Sequence, residues 1–190
     1  MSEKDILTLI EKDSRMMEIL NAAKTLHLPD WWIGAGFVRG KVWDHLHEYK
    51  IRTPLPDIDV IYFDPKDFKK DEMRSESTKM ENKYEIELSK LIPDAKWSVT
   101  NQARMHVFHK NRPYSNSTEA LSRWVETATC IGVSLDQSNK LKLTAPYGIG
   151  DLVNLKLRPV SNTPERLKTF QERIRVKNWL TLWPKLRIEY

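Results

Sequence analysis

The sequence predicts an α+β fold in which helices pack against a mixed β-sheet, and three observations carry that expectation. Apolar residues recur at helical spacing in several long segments, short runs rich in β-branched and aromatic residues lie between them, and turn-forming clusters separate the two. No Pro-, Gly- or Ser-rich stretch divides the 190 residues, so one domain over residues 1–190 with one substantial core is expected.

From about Ile6 to Leu26, the residues Ile6, Leu9, Ile10, Met16, Met17, Leu20 and Ala23 fall near one helical face, which ends before Pro29. Trp31-Trp32-Ile33 reads as a short strand stopped by Gly34-Ala35-Gly36, after which Val38, Val42 and Leu46 repeat at a helical interval. A loop with Pro54 and Pro56 leads to Asp57-Ile58-Asp59-Val60-Ile61-Tyr62-Phe63, a buried strand with acid at its start, closed by Asp64-Pro65. Between about Phe68 and Ile92, Met73, Met80, Tyr84, Leu88 and Leu91 predict an amphipathic helix that Pro93 terminates. Trp97-Ser98-Val99-Thr100 is a further strand, and the pattern leaves 101–106 unassigned. Asn116 with Glu119 three residues later reads as a capping pair, opening a helix that carries Leu121, Trp124 and Val125. Ile131, Val133 and Leu135 alternate, Asp136-Gln137-Ser138-Asn139 turns the chain, and Leu141 and Leu143 alternate again, which reads as a hairpin. A buried element of open type begins at Asp151. Pro164 suits a first helical position, giving a C-terminal helix with Leu167, Phe170 and Ile174 inward.

With 40% apolar and 30% charged residues and seven tryptophans, the composition is that of a folded protein. Cys130, the only cysteine, excludes an internal disulfide and is expected as a small core residue in a reducing compartment. The first residues lack a basic region followed by an apolar one, and no segment approaches the roughly 18 apolar residues of a membrane span, so a cytoplasmic protein with no membrane partner is expected. The net charge of +5 permits a phosphate-bearing partner and equally suits an ordinary soluble enzyme.

Chemistry concentrates at Asp57 and Asp59. Alternate strand residues share a face, so the two carboxylates emerge together with backbones roughly 7 Å apart. A pair of divalent ions bridged by phosphate oxygens would offset their repulsion, and magnesium suits a site of few carboxylates completed by a triphosphate. The alternative is a surface-facing acidic strand start or a salt-bridged pair. In Gly34-Ala35-Gly36 the absence of bulky side chains lets backbone amides approach phosphate at the start of the following helix. Arg39, in the first turn of that helix, either reaches a phosphate or serves as a solvated charge or a partner for Asp44.

The glycine turn, a helix containing Val38-Arg39, and Asp57-Ile58-Asp59 in a strand together resemble the DNA polymerase β nucleotidyltransferase superfamily, an arrangement shared by CCA-adding enzymes and poly(A) polymerases. Gly34 to Arg39, Val42-Trp43-Asp44, Asp57 to Asp64, Asn101 to His106, Ala145 to Leu152 and Lys177-Asn178-Trp179 more closely resemble a family of small, mostly bacterial nucleotidyltransferase-like proteins. The resemblance runs from about Trp31 to Leu186. It implies a polymerase β-like fold and magnesium-dependent transfer of a nucleoside monophosphate from a nucleoside triphosphate to an acceptor, which is a small molecule, RNA or protein, with release of pyrophosphate. Asp57 and Asp59 match the first two carboxylates of the superfamily. Gly34-Ala35-Gly36 departs from its usual Gly-Gly or Gly-Ser pair. The third carboxylate has no evident counterpart: Asn101 takes its place in the resemblance, and Asp136 and Asp151 are the alternatives.

Asn101, Gln102, Arg104 and His106 crowd amide, guanidinium and imidazole groups into one stretch, as an acceptor or base-reading site needs, or as caps and buried hydrogen-bond partners do. Asn101 and Arg104 therefore join Asp57 and Asp59 as candidate catalytic residues, with Gly34, Ala35, Gly36 and Arg39 as candidate nucleotide-binding residues. Arg173, Arg175 and Lys177 could contact RNA or the nucleotide, or form a solvated helix face. Two further readings stay open: a nucleotide-binding regulatory module without turnover, and a basic RNA-binding protein on the same fold.

Overall fold

The computed structural model describes all residues from Met1 to Tyr190. A five-stranded sheet with strand order β3-β2-β1-β4-β5 forms its centre. The strands are β1 (Trp32–Gly34), β2 (Ile58–Tyr62), β3 (Trp97–Asn101), β4 (Gly132–Leu135) and β5 (Leu141–Thr144). β2 and β3 run parallel, whereas the β1–β2, β1–β4 and β4–β5 pairs are antiparallel, so the sheet is mixed as expected.

The helix expected between Ile6 and Leu26 is two helices, α1 (Glu3–Glu11) and α2 (Ser14–Lys24). The break falls at Asp13, whose side chain accepts from the Met16 amide as an N-cap and pairs with Lys41 of α3 (Gly36–Leu46). The apolar stripe continues through the break because both helices bury it against the same core. The helix expected from Phe68 shrinks to α4 (Lys79–Leu91) for a similar reason: Thr78 and Glu81 form a capping box that starts the helix there. Residues 102–105 form a short helix, α5 (Gln102–Met105). Asn116 caps α6 (Ser117–Leu121) as its spacing predicts, but the helix ends before Trp124 and Val125. The element at Asp151 is a helical turn, α7 (Gly150–Val153), running into β6 (Lys156–Leu157), which pairs in parallel with β7 (Arg187–Ile188). Pro164 opens α8 (Pro164–Lys177), with Phe170 buried beneath it, and α9 (Trp179–Leu182) follows a left-handed Asn178.

Strand parity sorts the sheet into two faces. Ile58, Val60 and Tyr62 of β2 and Trp97 and Val99 of β3 point into the main core, a cluster of 30 buried residues that α1, α2, α3 and α4 also enter. Ile61 points the other way and packs with Leu121 and Cys130, so the cysteine is a core residue. Asp57 and Asp59 share that second face with Ile61. No helix is long and apolar enough to cross a membrane.

Candidate functional site

The turn between β1 and α3 is built by exclusion of side chains. A Cβ on Gly34 would stand 2.9 Å from the Trp124 ring, so only glycine fits beneath that ring. Ala35 follows with φ 50° and ψ −122°, a conformation in which an L side chain is strained, and swings the chain into α3. The turn leaves α3 without a side-chain cap, and the N–H groups of Gly36, Phe37 and Val38 meet no acceptor. By contrast α1, α2 and α4 are capped by Ser2, Asp13 and Thr78. Three unpaired amides at a helix N-terminus present concentrated positive potential to an anion.

A cleft of about 740 Å³ opens against this turn, and Ala35, Gly36, Arg39, Asp57 and Asp59 all line it. Eight lysines and arginines face three carboxylates around its walls. That balance suits a polyanionic ligand whose own charge is partly met by the protein. Burial, and then the neighbouring Asp57, push the Asp59 carboxyl up to about 6, while Arg39, Lys177 and Arg173 pull it back. An ionised pair is therefore costly without a cation, and a divalent ion held by Asp57 and Asp59 would offset that cost. The donor set fits magnesium in chemistry, although nowhere do three His, Cys, Asp or Glu side chains converge as a metal-binding group.

Arg39 is neither solvated nor paired with Asp44. Its guanidinium lies 4.4 Å from the Trp179 ring centroid and 5.1 Å from that of Trp43, and Nη1 donates to Thr129 Oγ1 at 2.8 Å. Asp44 is instead taken up by Thr53 and the Trp183 indole. Burial lowers the Arg39 pKa to about 10, with Glu126 the largest opposing influence, so the side chain stays charged at neutral pH. Its Nε is buried without a partner, leaving donor capacity unused inside the cleft. The basic stretch at the end of α8 is split: Arg173 pairs with the fully buried Glu126 at 2.7 Å, Lys177 lies near enough to act on Asp59, and Arg175 is exposed.

Asn101 and Arg104 lie elsewhere. In the parallel β2–β3 register Asn101 stands opposite Tyr62 and so faces the main core, across the sheet from Asp59. Its side chain exchanges hydrogen bonds with the Asp64 backbone and caps α5 at the Ala103 amide. Arg104 is completely buried, with Nη2 2.6 Å from Glu81 Oε2 and further bonds to the Ser75 and Glu76 carbonyls. The position beside Asp59 on β3 belongs to Ser98, which is neutral. Asp136 caps the hairpin turn, and Asp151 binds Thr127 and Arg158. Neither lines the cleft.

Glu126 and Thr129, which hold Arg173 and Arg39, were not singled out by spacing. Their signal is faint: Glu126 is the one charged residue in the run from Val125 to Gly132.

A nucleotidyltransferase family model matches residues 21–188. Among solved structures, an NMR structure described as revealing a CCA-adding enzyme head domain is 31% identical over 99% of this chain and 96% of its own, with a TM-score of 0.81. The CCA-adding enzyme of Thermotoga maritima in complex with tRNA aligns at 14% identity and TM-score 0.57, and a CCA-adding enzyme in complex with CTP at 14% and 0.59. These two share the fold over the whole of this chain, which spans 43% and 44% of their lengths. No curated protein matches in sequence. Sheet, glycine turn, paired aspartates and these likenesses agree, and the chain belongs to the nucleotidyltransferase family.

Proposed function

We propose that the protein transfers a nucleoside monophosphate from a magnesium-bound nucleoside triphosphate to an acceptor hydroxyl, releasing pyrophosphate. The observation that carries this reading is the placement of Asp57 and Asp59 in one cleft with the uncapped N-terminus of α3. The amides of Gly36, Phe37 and Val38 and the Arg39 guanidinium grip and orient the triphosphate. Asp57 and Asp59 hold magnesium, which when bound supplies charge neutralisation at the reacting phosphate. The acceptor oxygen forms a bond to the α-phosphorus, the α–β anhydride bond breaks, and pyrophosphate departs with the electron pair. With no third carboxylate beside the pair, the acceptor proton leaves to solvent. CCA-adding enzymes solved in complex with CTP and with ATP share this fold, which supports a nucleoside triphosphate as the ligand.

The lack of a third carboxylate on β3 favours a second reading, a module that binds nucleotide without turning it over. Incubation with α-labelled nucleoside triphosphates, magnesium and fractionated small-molecule or RNA extracts separates the two. Transfer of label that disappears in Asp57→Asn/Asp59→Asn is expected. Magnesium-dependent nucleotide binding with no transfer in any fraction would leave the second reading in place.

A further inference from the structure

The eight cations of the cleft fall into three groups. Arg39, Arg173 and Lys177 act on Asp59. Arg123 and Arg166 act together on the phenols of the buried Tyr114 and the exposed Tyr147, and Arg166 on His109. Lys41 and Arg52 are bound to Asp13, and Arg173 to Glu126. Lys110, Arg123 and Arg166 form no ion pair and no side-chain hydrogen bond, yet all three line the cleft. Arg123 is half-buried and its Nε is buried without a partner, so that N–H is cut off from water before any ligand arrives. A Tyr147 hydroxyl bond to the Ser122 carbonyl holds the segment that carries it.

His109 completes the group as a neutral donor. The buried Tyr114 hydroxyl accepts from Asn111 Nδ2 at 3.1 Å, and the only acceptor in reach of its own proton is His109 Nδ1 at 2.9 Å. His109 Nδ1 must then be unprotonated, which places the ring proton on Nε2. Burial, and then Arg166, hold the imidazole below its usual pKa, in keeping with that neutral form.

We propose that Lys110, Arg123, Arg166 and the His109 Nε2–H form a second anion site in the cleft, which binds a phosphate group carried by a small acceptor molecule. This assignment rests on the nucleotidyl-transfer reading for the word acceptor; the phosphate site itself rests on the unpaired cations. A small phosphorylated acceptor suits the site better than an RNA strand. The arginines line a cleft of a size typical for small ligands; of its aromatic rings Trp179 and Trp183 are buried and Trp124 is half-buried against Gly34, which leaves Phe108 as the exposed one for a base to stack on.

Isothermal titration calorimetry with ribose 5-phosphate as the probe, on protein saturated with magnesium and the α,β-methylene analogues of ATP, CTP, GTP or UTP, tests the assignment. Wild type binds the sugar phosphate alongside the nucleotide. Arg123→Gln/Arg166→Gln weakens ribose 5-phosphate by at least about tenfold, the loss expected when charge-assisted bonds go, and leaves nucleotide affinity unchanged, which also shows that the variant is folded. The exposed Lys110→Gln shifts affinity in the same direction by less. Unchanged sugar-phosphate affinity in both variants overturns the proposal, as does parallel loss of nucleotide, which would give the arginines to the triphosphate. Binding of a short oligoribonucleotide in place of ribose 5-phosphate also overturns it. If wild type binds ribose 5-phosphate but no nucleotide analogue, the phosphate site stands and the nucleotidyl-transfer reading falls.

Discussion

Substituting Asp59 by Asn removes a charge that burial and Asp57 both disfavour. Because the native pKa is raised from 3.8 to about 6, the contribution of this carboxyl to folding is fully present below pH 4 and is lost as pH rises through 6. Without metal, Asp59→Asn is therefore expected to match wild type near pH 4 and to be more stable by on the order of 2 kcal/mol above pH 7. Urea titrations in EDTA at the two pH values check this, and equal stability at pH 7 would mean that Asp59 is not strained by its surroundings. At Gly34 the expected effect is steric. Gly34→Ala drives a methyl group to 2.9 Å from the Trp124 ring, which must shift; a loss of roughly 1–3 kcal/mol and altered tryptophan fluorescence are expected.

Among elements, the register of β2 against β3 decides what Asn101 and Arg104 do. Sequence reading placed both near the reaction because polar groups crowd 101–106, and it also kept caps and buried hydrogen bonds as the other explanation. Which one holds depends on the face of β3 that residue 101 occupies, and that follows from a pairing between segments about 40 residues apart, with no local signature. Arg104 and Glu81 tie α5 to the start of α4 as a fully buried ion pair. Arg104→Ala leaves the Glu81 charge uncompensated, so a loss of about 3–5 kcal/mol is expected in denaturant unfolding. Near-wild-type stability would show that the pair is not a structural anchor.

Across the whole molecule, the mixed sheet, the order of its strands along the chain and the hairpin were legible because periodicity and turn residues report on local structure directly. The break at Asp13 was hidden because the apolar stripe runs through it, while Asp13 is held by Lys41 from another helix. The pairing of Asp57 with Asp59 and the glycine turn were likewise visible as local spacing. Thr129, Arg123 and Arg166 reach the cleft, and Glu126 reaches Arg173, only where α8 and the α6–β4 segment come together, so spacing alone could not gather them.

The central claim is that Asp57 and Asp59 serve a magnesium-bound triphosphate in this cleft. Thermal unfolding of wild type and Asp57→Asn/Asp59→Asn with each nucleoside triphosphate, with and without magnesium, tests it most directly. A ligand present at about 100 times its Kd adds roughly 2.7 kcal/mol, so wild type should be stabilised by at least one triphosphate with magnesium, and the double variant should not. Stabilisation of both proteins alike, or of neither, would contradict the account.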